Sequence, residues 1–197
     1  MGERPWHELS NREREYTMIE PESIAVLLDT VKEAPDNGVI IIAGSAHGGD
    51  AMVIMKEFPN RHVIVIDSFE GLDNPVEIDG PDAEGFGGHS CGGLDQYKAN
   101  FADLDRPLPH EIFKMWINEE NLQIVGDRKI AMLFMDLDHY CPVLACLKYF
   151  KPMMVTGGKI LTHDWGFFRT EGVMKACEEF APDKWKGIRG FGKYIGE

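Results

Sequence analysis

Two carboxylates and an imidazole follow an apolar stretch of this sequence. The run "KIAMLFM" (129–135) is typical of a buried strand, and Asp136, Asp138 and His139 come directly after it. Charged groups are costly to remove from water, so at the end of a buried strand they need a partner or a ligand. If the strand continues, Asp136 and Asp138 share one face and His139 lies on the other side. The pattern favours a cation site or an acid–base site.

Three other apolar stretches end in polar or glycine residues. "VIIIAG" ends in Gly44, "HVIVID" in Asp67 followed by Ser68, and "GGKILTHD" in His163 and Asp164. In an open parallel sheet, ligands bind beyond the carboxyl ends of the strands. A single acid at such a place is typical of a turn or a helix cap. Four strand ends of this kind predict one binding site.

The turn after the first strand, "GSAHGG" (44–49), is rich in glycine. Glycine lets backbone approach a ligand closely, and the N–H groups of the helix that follows favour an anion or a carboxylate. The spacing is not G-x-G-x-x-G, so the turn alone is weak evidence. Asp67, roughly 20 residues later, stands where a carboxylate accepts hydrogen bonds from both ribose hydroxyls of a nucleoside cofactor. Its alternative role is to cap the next turn.

The acids at the third and fourth strand ends predict a metal site. Asp136 and Asp138, converging with Asp164, would form a hard, oxygen-rich pocket suited to Mg²⁺ or Mn²⁺. His163 offers a nitrogen ligand as well. For His163 and His139, the alternative is a partly buried histidine with a purely structural role.

Alternating strands and helices are predicted to position these residues. An amphipathic helix (20–33) precedes the first strand, and helical patterns follow the glycine turn and the third and fourth strands, at 50–58, 141–150 and 169–180. This order predicts an α/β fold, with a mostly parallel central sheet and helices on both faces. We expect a single domain over 1–197, with a polar arm or short helix at 1–17 and one or two short edge strands in the tail.

Residues 72–100 interrupt this alternation. The segment is acidic and rich in glycine, and it shows no periodicity until Leu94, Tyr97, Phe101 and Leu104 indicate a short helix. A long loop inside a compact domain is commonly a lid or a binding loop. A surface loop without a function is the alternative.

Composition excludes several functions. The net charge of −13 repels phosphate backbones and anionic lipid, so we expect neither a nucleic-acid nor a membrane partner. No apolar stretch reaches the roughly 20 residues that cross a bilayer. The N-terminal residues lack the apolar core of a secretion signal, which predicts a cytoplasmic protein. The four cysteines form no C-x-x-C pair, so neither a zinc knuckle nor a disulfide framework is expected.

Three motifs together resemble the macrocin O-methyltransferase family. "VIDSFEGL" (65–72) is similar to its D-S-F-E-G-L motif, "LFMDLDHY" (133–140) to its D-x-D-x-Y strand, and "GGKILTHDWG" (157–166) to its G-G-x-x-x-x-D-D-Y/W-G segment. The resemblance runs from about residue 18 to the C-terminus. It implies a Rossmann-like class I methyltransferase fold, S-adenosylmethionine as cofactor, and typically a divalent metal. Members methylate hydroxyls on sugars and related natural products.

The resemblance also implies roles for individual residues. The metal would be held by Asp136 and Asp164, with His163 beside them. The general base would be Asp138, with His139 as the other candidate. The cofactor's ribose would be held by Asp67 and Ser68. The methionine end would lie against the glycine turn, at Gly44, Ser45, His47 and Gly48, and Asp136 is a further cofactor contact.

The chain departs from the family pattern at three places. His163 replaces the first acid of the family's paired aspartates, which makes the metal site softer. Apolar Ile42 and Ala43 replace a glutamate before the glycine turn, and His47 replaces an arginine. These last two changes lie where the cofactor is expected to bind, so the resemblance does not establish tight cofactor binding there.

The sequence predicts a metal-assisted O-methyltransferase that acts on a hydroxyl of a sugar or natural-product-like small molecule. One alternative is another metal-dependent enzyme on the same scaffold, such as a hydroxylase-like relative, which would be favoured if His163 selects iron. The other is a non-catalytic binding protein with a methyltransferase fold. The candidate partners are the small-molecule hydroxyl substrate and, in a homodimer, a second copy of the chain.

Overall fold

The structure, a computed structural model, describes residues 11–83 and 91–196. It contains a seven-stranded sheet. The strands are β1 (Val39–Ala43), β2 (Val63–Asp67), β3 (Glu111–Lys114), β4 (Ile130–Met135), β5 (Met154–Thr162), β6 (Trp185–Ile188) and β7 (Phe191–Tyr194). Their order across the sheet is β3-β2-β1-β4-β5-β7-β6. The first five run parallel, whereas β7 pairs antiparallel with both β5 and β6.

Six α-helices accompany the sheet within the described residues. They are α1 (Asn11–Thr17), α2 (Pro21–Glu33), α3 (Gly49–Glu57), α4 (Gly93–Asp103), α5 (Tyr140–Phe150) and α6 (Glu171–Phe180). In α2, Pro21 occupies the first turn, where its missing N–H costs nothing. None of the helices in the described part of the chain is long and apolar enough to span a membrane.

Apolar side chains cover both faces of the sheet. In β1, Ile40 and Ile42 pack in one buried cluster with α2, α3 and α4, whereas Ile41 and Ala43 pack in a second cluster with α5 and α6. Because successive strand residues point to opposite faces, a strand buried on both sides must be apolar throughout. The predicted α/β fold with helices on both faces is confirmed.

The strand order reverses between β1 and β4. From β1 the chain moves outward through β2 and β3, and it then returns to pair β4 with the other side of β1. Chain connections diverge at such a point and leave a crevice beyond the carboxyl ends of the strands. The backbone N–H of Asp136 donates to the carbonyl of Ala43 at 2.8 Å, so the ends of β1 and β4 meet there.

Several predicted elements are found, with changed bounds. The predicted helix in the arm is α1, the edge strands of the tail are β6 and β7, and the periodicity within 72–100 corresponds to α4. The fourth predicted strand (157–164) is β5, which begins earlier, at Met154. Residues 1–10 of the arm and 84–90 of the expected lid lie outside the described residues.

Strand β3 was not predicted. Its four residues, Glu111–Lys114, are half-buried or exposed and two of them are charged, so they show no apolar run. It lies at the edge of the sheet and pairs only with β2 among the described strands. Edge strands are often short and charged, which makes them hard to recognise from sequence.

Candidate active site

The four polar strand ends line one cavity. It has a volume of about 690 Å³ and lies beyond the carboxyl ends of β1, β2, β4 and β5, which contribute Gly44, Asp67, Asp136 and His163 to its wall. Its position at the reversal of strand order is where open α/β sheets bind ligands. The structure therefore brings together groups that are far apart in the sequence.

Asp67 holds the glycine turn in place. One oxygen of its carboxylate accepts hydrogen bonds from the backbone N–H groups of Ser45 (2.7 Å) and Ala46 (3.1 Å), and the other accepts from the N–H of Phe69 (2.6 Å). Asp67 also lines the cavity. Its carboxylate thus caps the turns after β1 and β2, while contact with a ribose remains a prediction. The hydroxyl of Ser68 donates to the carbonyl of Gly71 at 2.9 Å and shapes the same turn.

Gly44 lies where the chain leaves β1. Its φ of +79° is in the left-handed region, and a Cβ atom at this position would overlap the backbone carbonyl of Asp136. Only glycine fits both the conformation and the close approach of the two strand ends. Gly44 and Ser45 line the cavity.

The structure places His47 and Gly48 elsewhere. The ring of His47 lies beside that of Tyr16, with 6.3 Å between centroids, and its carbonyl accepts a hydrogen bond from Asn100. Gly48 precedes α3 with a φ of +92°, packed against Phe101. Neither residue belongs to the cavity wall formed by the described residues. Only the first half of the turn, residues 44–46, lines the cavity.

Asp136, His163 and Asp164 form a compact cluster. One ligand atom from each lies within 4.8 Å of the others. Nδ1 of His163 is 3.2 Å from Oδ1 of Asp136 and 3.2 Å from Oδ2 of Asp164. Burial disfavours the imidazolium, but the two carboxylates outweigh it and raise the pKa of His163 to about 11. Although burial opposes it, the imidazolium also lowers the pKa of Asp164.

This donor set fits a divalent metal ion. Two carboxylates and one imidazole suit Mn²⁺ as well as Mg²⁺, because the nitrogen ligand favours the softer ion. Nδ1 of His163 lies between the carboxylates of Asp136 and Asp164, the position that a bound cation would occupy. Since a ligating imidazole must be neutral, metal binding requires the loss of the proton that the carboxylates now stabilise.

Asp138 reaches this cluster by a different route from the one predicted. Strand β4 ends at Met135, and Asp138 has a φ of +59°, so the strand alternation invoked for Asp136 and Asp138 does not extend to this point. The expected register was wrong, yet the side chain still faces the acids. Burial, with the charges of Asp164 and Asp136, raises the pKa of Asp138 well above its ordinary value.

His139 is the cap residue that precedes α5 and is 2% exposed. Burial lowers its pKa despite the nearby charges of Asp79 and Asp73, so the imidazole is neutral near pH 7. Its Nε2 atom has no hydrogen-bond partner among the described residues. Both His139 and Asp138 line the cavity.

The residues of the cavity wall that sequence reasoning missed include Thr17 at the end of α1, Asp50 in the first turn of α3, and Arg169 before α6. Only the packing of distant segments reveals them. Among the described residues, the acids on the wall are Asp50, Asp67, Asp73, Glu119, Asp136, Asp138 and Asp164. So many carboxylates around one cavity favour a ligand that carries positive charge.

A family model described as macrocin O-methyltransferase (TylF) matches residues 9–188. The chain belongs to the macrocin O-methyltransferase family. The resemblance drawn from the three motifs is thereby confirmed, and the chain is a methyltransferase. A comparison with curated proteins gives no match.

Solved methyltransferase structures share the fold. The O-methyltransferase NovP is 20% identical, with a TM-score of 0.73 over 91% of this chain and 81% of NovP. The calicheamicin methyltransferase CalS11 is 16% identical, with a TM-score of 0.64 over 88% of this chain and 77% of CalS11. The methyltransferase PaMTH1 from Podospora anserina, bound to S-adenosylhomocysteine (SAH), is 10% identical, with a TM-score of 0.59 over 96% and 89%. These similarities establish the class I methyltransferase fold.

Proposed function

We propose that this family member is an S-adenosylmethionine-dependent, divalent-metal-assisted O-methyltransferase that acts on a hydroxyl of a sugar or a related natural product. The observation that carries the proposal is the convergence of four strand ends on one acidic cavity, in a chain of this family. The donor is a sulfonium cation, which an acidic cavity attracts, whereas its product after transfer has lost that charge.

The family and the structural relatives support the choice of cofactor and substrate class. PaMTH1 binds SAH, the product of S-adenosylmethionine. CalS11 is a TDP-rhamnose 3'-O-methyltransferase of calicheamicin biosynthesis. A cavity of about 690 Å³ is large enough for a cofactor together with part of a substrate.

Asp136, His163 and Asp164 would hold the metal ion, since their ligand atoms already lie within 4.8 Å of one another. A bound divalent ion lowers the pKa of a hydroxyl in contact with it. The two carboxylates would balance the charge of such an ion, and His163 would bind it as a neutral imidazole.

Asp138 is our candidate for the base that removes the hydroxyl proton. It faces the same acids as the candidate metal ligands, and a base must lie within hydrogen-bond reach of the proton it accepts. His139 is the alternative, because it also lines the cavity and its Nε2 atom has no hydrogen-bond partner among the described residues. Holding the donor and the acceptor in order supplies much of the rate in a two-substrate transfer.

Binding and turnover test the proposal separately. S-adenosylmethionine and SAH should each raise the melting temperature by mass action and bind with a measurable heat. Transfer of a labelled methyl group should then be assayed over a panel of nucleotide sugars and glycosylated small molecules, with Mn²⁺, with Mg²⁺ and with a chelator. Binding of neither cofactor would contradict the proposal, and full activity in the presence of the chelator would remove the metal from it.

A further inference from the structure

Asp50 is a buried acid on the cavity wall with no role in the site described so far. It lies in the first turn of α3, is 5% exposed, and lines the cavity together with Ser45. Acids are rarely buried to this extent unless they are paired. We therefore compared the hydrogen-bond partners of its two carboxylate oxygens.

Only one oxygen of this carboxylate has a side-chain partner. The Ser45 hydroxyl donates to Oδ1 at 2.7 Å, whereas Oδ2 has no hydrogen-bond partner among the described residues. The Tyr97 hydroxyl, close to Ser45, is buried and has no partner of adequate geometry in the described part of the chain either. Buried polar groups without partners are uncommon in native proteins, and they point to a ligand that completes the hydrogen bonds.

No positively charged side chain of the described residues contributes to the pKa shift of this acid. Burial raises the pKa of Asp50 to about 7, and the charges of Asp136 and Asp67 add to the rise, while the Ser45 hydroxyl and the Ala51 N–H oppose it. A cationic hydrogen-bond donor in contact with Oδ2 would offset the cost of ionising Asp50, because an opposite charge stabilises the carboxylate.

An ammonium group fits this place better than a metal ion does. The only three-residue group of potential ligands found among the described residues is Asp136, His163 and Asp164. Asp50 offers one free oxygen, which is too few for a divalent ion that requires six or more ligands. An ammonium is satisfied by about three hydrogen-bond acceptors. The charges of Asp136 and Asp67, which also act on Asp50, make this place more attractive to a cation. The methyl donor of the proposed function carries an ammonium group in its amino-acid part.

We propose that Asp50 binds the α-ammonium group in the amino-acid part of the methyl donor, through Oδ2, the carboxylate oxygen that has no hydrogen-bond partner among the described residues. This inference rests on the function proposed above. It places a cofactor-binding residue in the first turn of α3, beyond the glycine turn. The negative charge of Asp50 would then favour ligands that carry the amino group over ligands that lack it.

Calorimetric titration of three ligands tests the assignment. The ligands are SAH, its analogue lacking only the α-amino group, and 5'-methylthioadenosine, which lacks the whole amino-acid part. Wild type should bind SAH about 10–100-fold more tightly than the deaminated analogue, the range expected for one charge-assisted hydrogen bond. Asp50→Asn should weaken SAH binding by a similar factor and leave the affinities for the other two ligands within about twofold. Asp95→Asn removes an exposed acid from the first turn of α4 and should change none of the affinities.

Each contrary result has one meaning. Equal affinity of wild type for SAH and its deaminated analogue would overturn the inference without any variant, even if Asp50→Asn failed to fold. Unchanged SAH binding in Asp50→Asn, or equal weakening of all three ligands, would overturn the inference and leave the proposed function standing. If wild type bound none of the three ligands, the proposed function would fall and the inference with it.

Discussion

The carboxylate of Asp67 accepts a hydrogen bond of 2.7 Å from the backbone N–H of Ser45, and so ties the end of β2 to the turn after β1. These residues are 22 positions apart, and the bond sets the shape of the cavity floor before any ligand binds. Two further N–H groups, those of Ala46 and Phe69, depend on the same carboxylate. Preorganisation of this kind reduces the ordering that a ligand must impose.

Asp67→Ala should therefore impair both stability and cofactor binding. Removing one acceptor leaves three backbone N–H groups without it, and each partly buried unsatisfied group is costly, so we expect a loss of about 1–3 kcal/mol in the free energy of unfolding. The rise in melting temperature caused by SAH should be mostly lost as well. Urea denaturation and thermal shifts measure the two effects. An unchanged thermal shift would show that Asp67 acts only as a cap.

Gly44→Ala should be far more damaging than Gly190→Ala. Both glycines have positive φ (+79° and +77°), where an alanine is strained by roughly 1–2 kcal/mol. A Cβ atom at Gly190 meets nothing within 4 Å, whereas at Gly44 it overlaps the backbone of Asp136. The difference between the two variants in urea denaturation isolates the close approach of β1 and β4. Equal losses would mean that β1 and β4 separate at little cost.

Metal binding should release a proton from His163. With its pKa raised to about 11, the imidazole is charged at neutral pH and must lose its proton to become a ligand. Affinity for Mn²⁺ should therefore fall as the pH falls. Calorimetry at pH 8 in buffers of different ionisation enthalpy should give about one proton released per ion. Asp136→Asn should bind Mn²⁺ more weakly, and the exposed Asp95→Asn should not. Wild-type affinity in Asp136→Asn for Mn²⁺, Mg²⁺, Fe²⁺ and Zn²⁺ would end the metal assignment.

Substitution of the two candidate bases should separate their roles. Asp138→Asn keeps the shape of the side chain but not its basicity, so we expect the single-turnover rate of methyl transfer to fall ~10²–10⁴-fold, with cofactor binding retained. His139→Gln should cost much less. Labelled methyl transfer in a single turnover measures both variants once a substrate is accepted. If His139→Gln proved inactive and Asp138→Asn active, the imidazole of His139 would be the base.

The free protein should lose stability as Asp50 ionises. The folded pKa of about 7 lies above the ordinary value of 3.8, so the favourable contribution is complete below pH 4 and is lost between pH 4 and about 7. From pH 5 to pH 8, the stability of wild type should fall by roughly 2–3 kcal/mol relative to that of Asp50→Asn, since each pKa unit is worth about 1.4 kcal/mol.

Urea denaturation at pH 5 and pH 8 measures this difference. Asp67, Asp136 and Tyr97, whose charges act on or respond to Asp50, are present in both proteins, so the comparison isolates Asp50. Asp95→Asn should follow wild type. Parallel pH profiles for wild type and Asp50→Asn would show that Asp50 is not strained by its burial.

The sequence alone determined the layers of this protein and the set of strand ends that meet. Apolar runs such as 39–43 must be covered on both faces, and parallel strands bring their carboxyl ends to one edge, so Gly44, Asp67 and Asp136 could be assigned to one site. Three motifs were enough to identify the family. These inferences succeed because periodicity and motif spacing are local properties of the chain.

Only the tertiary structure determined those properties of a residue that depend on its contacts with distant segments of the chain. Asp50 is an ordinary first-turn acid in the sequence, and only the packing of α3 against the sheet and α1 buries it with one carboxylate oxygen unpaired among the described residues. Asp138 reaches the acids through a left-handed turn rather than along a strand, and His47 turns toward Tyr16. Burial, backbone reversal and the charge around a carboxylate arise from contacts between elements. The sequence therefore predicts which residue types form a site, whereas the fold determines their protonation states and which of them come into contact.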